Sequence, residues 1–267
     1  MAWPLVRGVT IGPLVAVGDL LPSGLPNPAF NPGRAEVRRR MRAMRASPRL
    51  LERPVVVLSG YKAWPHMAME LRQRLTALTS GEPGDFASVA YSFRRDIDEA
   101  VAIALDRVDR AFPPEDPVWT REVDVVGISM GGLVARRAAM DRDDGGRRMR
   151  IRRLFTLASP HRGSCLADRV APDRAAMAMR SGSAFLRSLD KAWETEPLEI
   201  YPYAVLNDKW VSAQRSAPPG EGTHWVRGAA IMSHFTVSVN RAIVADIALR
   251  LRGEAPLSGG ASEPPSR

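Results

Sequence analysis

A serine, an aspartate and a histidine stand in this 267-residue chain in an order that suits nucleophilic acyl chemistry. Ser129 lies in Gly127-Ile128-Ser129-Met130-Gly131, after the apolar run Val123-Asp124-Val125-Val126 and before Leu133-Val134-Ala135-Arg136, which continues as a helix. The five-residue pattern recurs by chance. The strand before it and the helix after it give it weight, because together they are the sequence form of a nucleophile elbow. In such an elbow the serine sits in a strained strand-to-helix turn, and the flanking Gly127 and Gly131 let neighbouring backbones approach. The hydroxyl then stands clear of the sheet, but it needs a base to take its proton and an acid to orient that base.

Downstream, 198–206 reads as a strand with Asn207-Asp208 at its carboxyl end, and Asp208 is the candidate acid. Thr223-His224-Trp225-Val226 reads as the last strand, and 229–235 as a loop leading into a helical pattern from Asn240 to Leu251. A histidine between the last strand and the last helix is placed to serve as general base, so His234 is preferred over His224. The latter reads as a strand residue that packs or hydrogen-bonds. Among the four histidines, His161 reads as a hydrogen-bonded loop residue. Upstream, Val55-Val56-Val57-Leu58-Ser59-Gly60-Tyr61 is a buried strand running into a glycine turn, with Pro54 at its start, where a missing N–H is tolerated. The amide of Tyr61 and that of Met130, at the head of the post-serine helix, are candidate donors to an oxyanion.

Strands and helices alternate around these residues, as a mainly parallel sheet flanked by helices requires. A helix at 65–78 carries Met67, Leu71, Leu75 and Leu78 at helical spacing, and one at 97–111 carries Ile97, Val101, Leu105 and Val108. Strands are expected at 55–58, 87–93 and 152–158. An insertion at about 165–197 holds Met177, Met179, Phe185, Leu186, Leu189 and Trp193 among short helical patterns. These side chains, and Trp64 beside the oxyanion loop, either line an acyl pocket or pack the insertion onto the domain.

Over 54–251 the chain resembles the lipase and esterase branch of the α/β-hydrolases, including bacterial triacylglycerol lipases and proteins like the GPI inositol deacylases. Beside the elbow, the resemblance rests on Thr156-Leu157-Ala158-Ser159-Pro160-His161-Arg162-Gly163-Ser164, similar to the segment after the next strand in such lipases. Gly182-Ser183 before Phe185-Leu186 is similar to the start of their cap helix. The resemblance implies an α/β-hydrolase fold with a short helical cap and a Ser129-Asp208-His234 triad that cleaves ester or lipid substrates through an acyl-enzyme. One departure is visible: such lipases carry His-Gly after the oxyanion strand, and this chain carries Ser59-Gly60. A backbone donor survives that change. Acyl transfer by the same triad, and a noncatalytic binding role on the same scaffold, remain the alternative readings.

Composition fits one domain at 53–252, preceded by an extension and helix at 1–52 and followed by a tail at 253–267 whose Gly, Pro and Ser content predicts disorder. The apolar stretch from Gly8 to Leu21 is broken by Gly12-Pro13, so it suits neither a spanning helix nor a signal segment. The single Cys165 excludes an intrachain disulfide and reads as a small buried residue. The expected location is cytoplasmic, with peripheral membrane contact as the competing reading. The net charge of +9 is mostly arginine, clustered at 34–49 and 147–153. Such clusters either attract an anionic membrane or substrate, or are solvated faces. They lack the interleaved aromatics of a nucleic-acid platform, and no cofactor or metal-ligand cluster is encoded.

Overall fold

The computed structural model describes residues 22–23, 25–91, 94–141, 145–195, 197–229 and 233–266. In chain order the strands are β1 (Pro22–Ser23), β2 (Val55–Leu58), β3 (Phe86–Val89), β4 (Val123–Ile128), β5 (Ile151–Leu157), β6 (Glu199–Val205), β7 (His224–Val226) and β8 (Gly228–Ala229). The helices are α1 (Arg34–Ala46), α2 (Pro65–Leu78), α3 (Ile97–Ala111), α4 (Met130–Ala139), α5 (Cys165–Arg169), α6 (Arg174–Ala178), α7 (Ala184–Thr195), α8 (Ser233–Thr236) and α9 (Arg241–Leu251).

Six strands form one parallel sheet in the order β3-β2-β4-β5-β6-β7, while β1 and β8 pair antiparallel beside it. Successive residues of a strand point to opposite faces, and β2 shows how the core divides. Val55 and Val57 pack with Met41 and Met44 of α1, Leu71 and Leu75 of α2, and Ile243 and Ile247 of α9. Val56 and Leu58 pack on the other face with Val101 and Val108 of α3 and Leu133 of α4. A strand buried on both faces must be apolar at every position, which is why β2 is Val-Val-Val-Leu.

Local chemistry sets the helix starts. Pro65 opens α2, where its missing N–H costs nothing. The Asp96 side chain accepts from the Asp98 amide to cap α3, and Asn240 accepts from Ala242 and Ile243 to cap α9. The helix expected within the N-terminal 52 residues is present as α1, with Val37, Met41 and Met44 buried. The strand expected at 87–93 is the shorter β3, ending at Val89, and Phe93 lies outside the described residues. The stretch from Gly8 to Leu21 also lies outside them. No helix among the described residues is long and apolar enough to cross a membrane.

The insertion after β5 forms α5, α6 and α7. Met179, Leu186 and Leu189 are buried against the α3 and α4 face of the sheet, so these side chains pack the cap onto the domain.

The C-terminal tail departs from the disorder that its composition predicts. Its residues 254–266 are bound to the domain at several points. The buried Asp246 carboxylate accepts from the Leu257 and Ser258 amides at 2.5 and 2.7 Å. Thr223 and Ser262 exchange two backbone hydrogen bonds of 3.0 Å, and the Trp225 indole donates to Ser262 Oγ. Buried acceptors on α9 and the free edge of β7 supply partners that composition alone does not reveal.

Candidate active site

The chain turns sharply where the strands end. All five non-glycine residues with left-handed backbone among the described residues, Lys62, Ser129, Ala158, Asn207 and Ser212, follow the carboxyl ends of β2, β4, β5 and β6. Strain of this kind persists only where the surroundings hold it, and it gathers at functional sites.

Ser129, at φ 51° and ψ −120°, links β4 to α4. Its amide donates to the Leu157 carbonyl of β5 at 2.8 Å, and its carbonyl accepts from Gly132. The glycines around it have no room for a side chain. A Cβ on Gly127 would lie 2.5 Å from the Gly132 nitrogen, and one on Gly131 would lie 2.6 Å from the Leu58 carbonyl of β2. A third glycine, Gly132, packs against Ser159, where a Cβ would meet Oγ at 2.3 Å. The turn is thus wedged between β2 and β5. Met130 is fully buried at the first position of α4, where a helix leaves its amides without internal partners.

The β2 loop lies against the serine. A Cβ on Gly60 would be 3.3 Å from Ser129 Cβ, which sets the following residue, Tyr61, beside the elbow. Ser59, which stands where the similar lipases have histidine, is fully buried, and its Oγ has no hydrogen-bond partner. The change therefore falls beneath the loop.

Asp208 lies just past β6, after Asn207 in left-handed backbone at φ 64°. Its carboxylate is buried. Oδ1 accepts from the amides of Trp210 and Val211 at 2.8 and 3.1 Å, and Oδ2 lies 2.8 Å from His234 Nδ1. With a carboxylate facing Nδ1, that nitrogen donates and Nε2 keeps its lone pair, the tautomer a general base needs. The expected loop around the histidine is in part a short helix, α8, with His234 as its second residue. Trp210 stacks on the imidazole, with centroids 5.1 Å apart and planes 22° apart, and Phe235 closes one edge. Sequence reasoning passed over Trp210. Its signal was its position two residues after Asp208, the candidate acid, in the same loop.

The other histidines are engaged elsewhere. His224, on β7, lies 2.7 Å from Ser258 Oγ and stacks on Tyr203 at 5.1 Å. Burial, with the Arg250 charge nearby, lowers its pKa to about 4. His161 is fully buried, with Nδ1 facing Arg136 Nη1 at 3.4 Å and Nε2 facing Thr156 Oγ1 at 3.1 Å. Burial first, then the Arg136 and Arg162 charges, hold it well below the usual histidine range, so it is neutral. It ties β5 to Arg136 of α4 underneath the elbow. Cys165 is half-buried, not fully buried as expected, with Sγ 3.5 Å from the Val211 carbonyl.

Six parallel strands between two helical layers, with a serine turn, an acid and a histidine after β4, β6 and β7, make this an α/β-hydrolase fold. Residues 98–174, from α3 through the elbow into the cap, match the model of a family described as a PGAP1-like alpha/beta domain. Lipase BlEst2 of Bacillus licheniformis, in its propeptide form, is similar in structure with a TM-score of 0.54 and 15% identity, over 92% of this chain and 54% of that one. An esterase from Exiguobacterium antarcticum is similar with a TM-score of 0.51 and 11% identity, over 76% of this chain and 92% of that one. Phospholipase PlaB of Legionella pneumophila aligns at a TM-score of 0.48 and 14% identity, over 61% of this chain; the chain spans only 43% of that protein's length. No curated protein matches the chain in sequence.

Proposed function

We propose that the chain is a serine hydrolase that cleaves carboxylic esters by a Ser129-His234-Asp208 triad through an acyl-enzyme. The observation that carries this reading is the Asp208–His234 pair, 2.8 Å apart, with the carboxylate buried and the imidazole partly so, at the sheet edge that also bears the strained Ser129 turn. His234 Nε2 takes the Ser129 proton as Oγ attacks the ester carbonyl, and Asp208 holds the imidazolium that forms. The amides of Tyr61 and Met130 receive the oxyanion, the second aided by the positive end of α4. His234 then returns the proton to the leaving alkoxide and activates water to release the acid.

Exposed apolar side chains favour an acyl or lipid ester. Leu166, Val170 and Met177 of the cap region are exposed, as is Trp64 beside the oxyanion loop, and exposed apolar groups on the elements around the site are suited to contact an acyl chain. The lipase and esterase names of the structural neighbours agree with this reading.

Hydrolysis of p-nitrophenyl esters by the purified chain and three variants tests the triad. Ser129→Ala, His234→Ala and Asp208→Asn should each lower kcat by roughly 10⁴-fold or more, with unchanged thermal midpoints. Retained turnover in Ser129→Ala would refute the mechanism.

A further inference from the structure

The loop that follows β2 is joined to the cap by a three-residue contact. Tyr61 Oη donates to Asp173 Oδ2 at 2.7 Å, and Lys62 Nζ lies 3.0 Å from the same oxygen. The Lys62 ammonium also sits over the Tyr61 ring, 4.8 Å from its centroid. Asp173 is an organised acceptor. Its side chain is only 7% exposed, and its other oxygen accepts from the Ala176 amide at 3.0 Å to cap α6. That short helix is itself fixed to the body, since the Ala175 amide donates to the Arg95 carbonyl at 2.7 Å. Although burial works against it, hydrogen bonds from Tyr61, the Ala176 amide and Lys62 hold the Asp173 carboxyl below the usual carboxylate range, so it is charged at neutral pH.

The loop needs such an anchor. Lys62 is in left-handed backbone, φ 48°, which a lysine does not favour, and the turn is closed on itself by one long bond, Ala63 amide to Gly60 carbonyl, at 3.3 Å. Its inner side touches the nucleophile through Gly60, and its outer side is held by the side chains of Tyr61 and Lys62.

We propose that Asp173 and Lys62 are positioning residues which, through the Tyr61 side chain, fix the Tyr61 amide where it receives the oxyanion, so that the seated cap completes the oxyanion hole. This rests on the ester-hydrolase reading above. An oxyanion donor acts in the transition state and not on the bound ester, so loosening it lowers kcat and leaves KM in place.

Tyr61→Phe removes one hydroxyl and keeps the amide. Asp173→Ser keeps an N-cap for α6 but loses both contacts with the loop, and serves if the first change is compensated by Lys62. Each variant should lower kcat on p-nitrophenyl butyrate about tenfold, with KM within about twofold. The double variant should be no worse than the weaker single one, because both break the same link. The inhibition constant of a trifluoromethyl ketone, whose tetrahedral adduct places an oxyanion in the hole, should rise by the factor lost in kcat/KM. Amide hydrogen exchange over 59–64 should quicken in both variants. Unchanged kcat in Asp173→Ser, a loss confined to KM, or multiplying losses in the double variant would overturn the proposal. Exchange separates this failure from that of the function: a wild-type chain inert toward esters ends the hydrolase reading and the oxyanion role with it, whereas exchange unchanged in both variants of an active enzyme overturns the link alone.

Discussion

At the scale of single residues, environment decides which histidine does what. His234 and His224 are ten positions apart, but one faces a carboxylate at the carboxyl edge of the sheet, and the other is sealed under the tail beside Ser258. The His224 pKa is about 4 in the folded chain against an ordinary value of 6.5. Below pH 6.5 the unfolded chain takes a proton that the folded chain refuses, so this stability is complete above that pH and is lost as pH falls toward 4. The loss amounts to about 3 kcal/mol over that window. His161, also held neutral, adds to the slope in the same direction. Thermal melts from pH 7.5 to 4.5 should therefore show a falling midpoint, and His224→Gln should flatten part of the fall while leaving ester turnover at pH 8 within about threefold. A pH profile of stability identical in the variant would remove His224 from this account.

At the scale of elements, the long helices α2 and α3 were legible because their cause is local. Their 3.6-residue periodicity places them at the bounds that the structure has. The elbow was legible for a similar reason: a buried strand, glycines flanking the serine and a helix stand together in one short run. The link that anchors the loop after β2 was not. Asp208 and His234, 26 positions apart, could be picked by their places after successive strands, whereas Tyr61 and Asp173 are 112 positions apart and only the fold brings them together. The same logic ranks the glycines. Gly131→Ala would place a Cβ 2.6 Å from the Leu58 carbonyl, so it should cost about 2–4 kcal/mol by forcing β2 from α4. At Gly60 the nearest atom is Ser129 Cβ, at 3.3 Å, and the backbone has no left-handed strain. Gly60→Ala should fold within about 1 kcal/mol of the parent yet lose most of its turnover. Denaturant melts paired with ester assays check the contrast; equal destabilisation by both would refute it.

Across the whole molecule, the tail reads differently in three dimensions from how it reads in sequence, and ion pairs bear on the two readings left open for the arginine clusters. The arginines of 147–153 do not form a bare cationic face: Arg147 pairs with Asp109, Arg152 with Glu199 and Arg153 with the buried Asp124. Net charge is a sum over the chain, and composition cannot say which charges are answered in place. Nor could it say that Asp246 waits for two tail amides. A chain ending at Gly253 should leave that carboxylate short of donors and bare the edge of β7, lowering the thermal midpoint by roughly 5–10 °C. A midpoint unchanged by the truncation would mean that the tail contributes nothing to stability.

Labelling by a fluorescent alkyl fluorophosphonate bears most directly on the central claim, because the reagent requires an activated serine beside a working oxyanion hole. Digestion and mass spectrometry of the labelled wild-type chain should find one adduct, on Ser129, absent from Ser129→Ala and strongly slowed in His234→Ala. A folded wild-type chain that takes no label, or takes it on another serine, would contradict the triad and leave the α/β-hydrolase scaffold without the chemistry assigned to it.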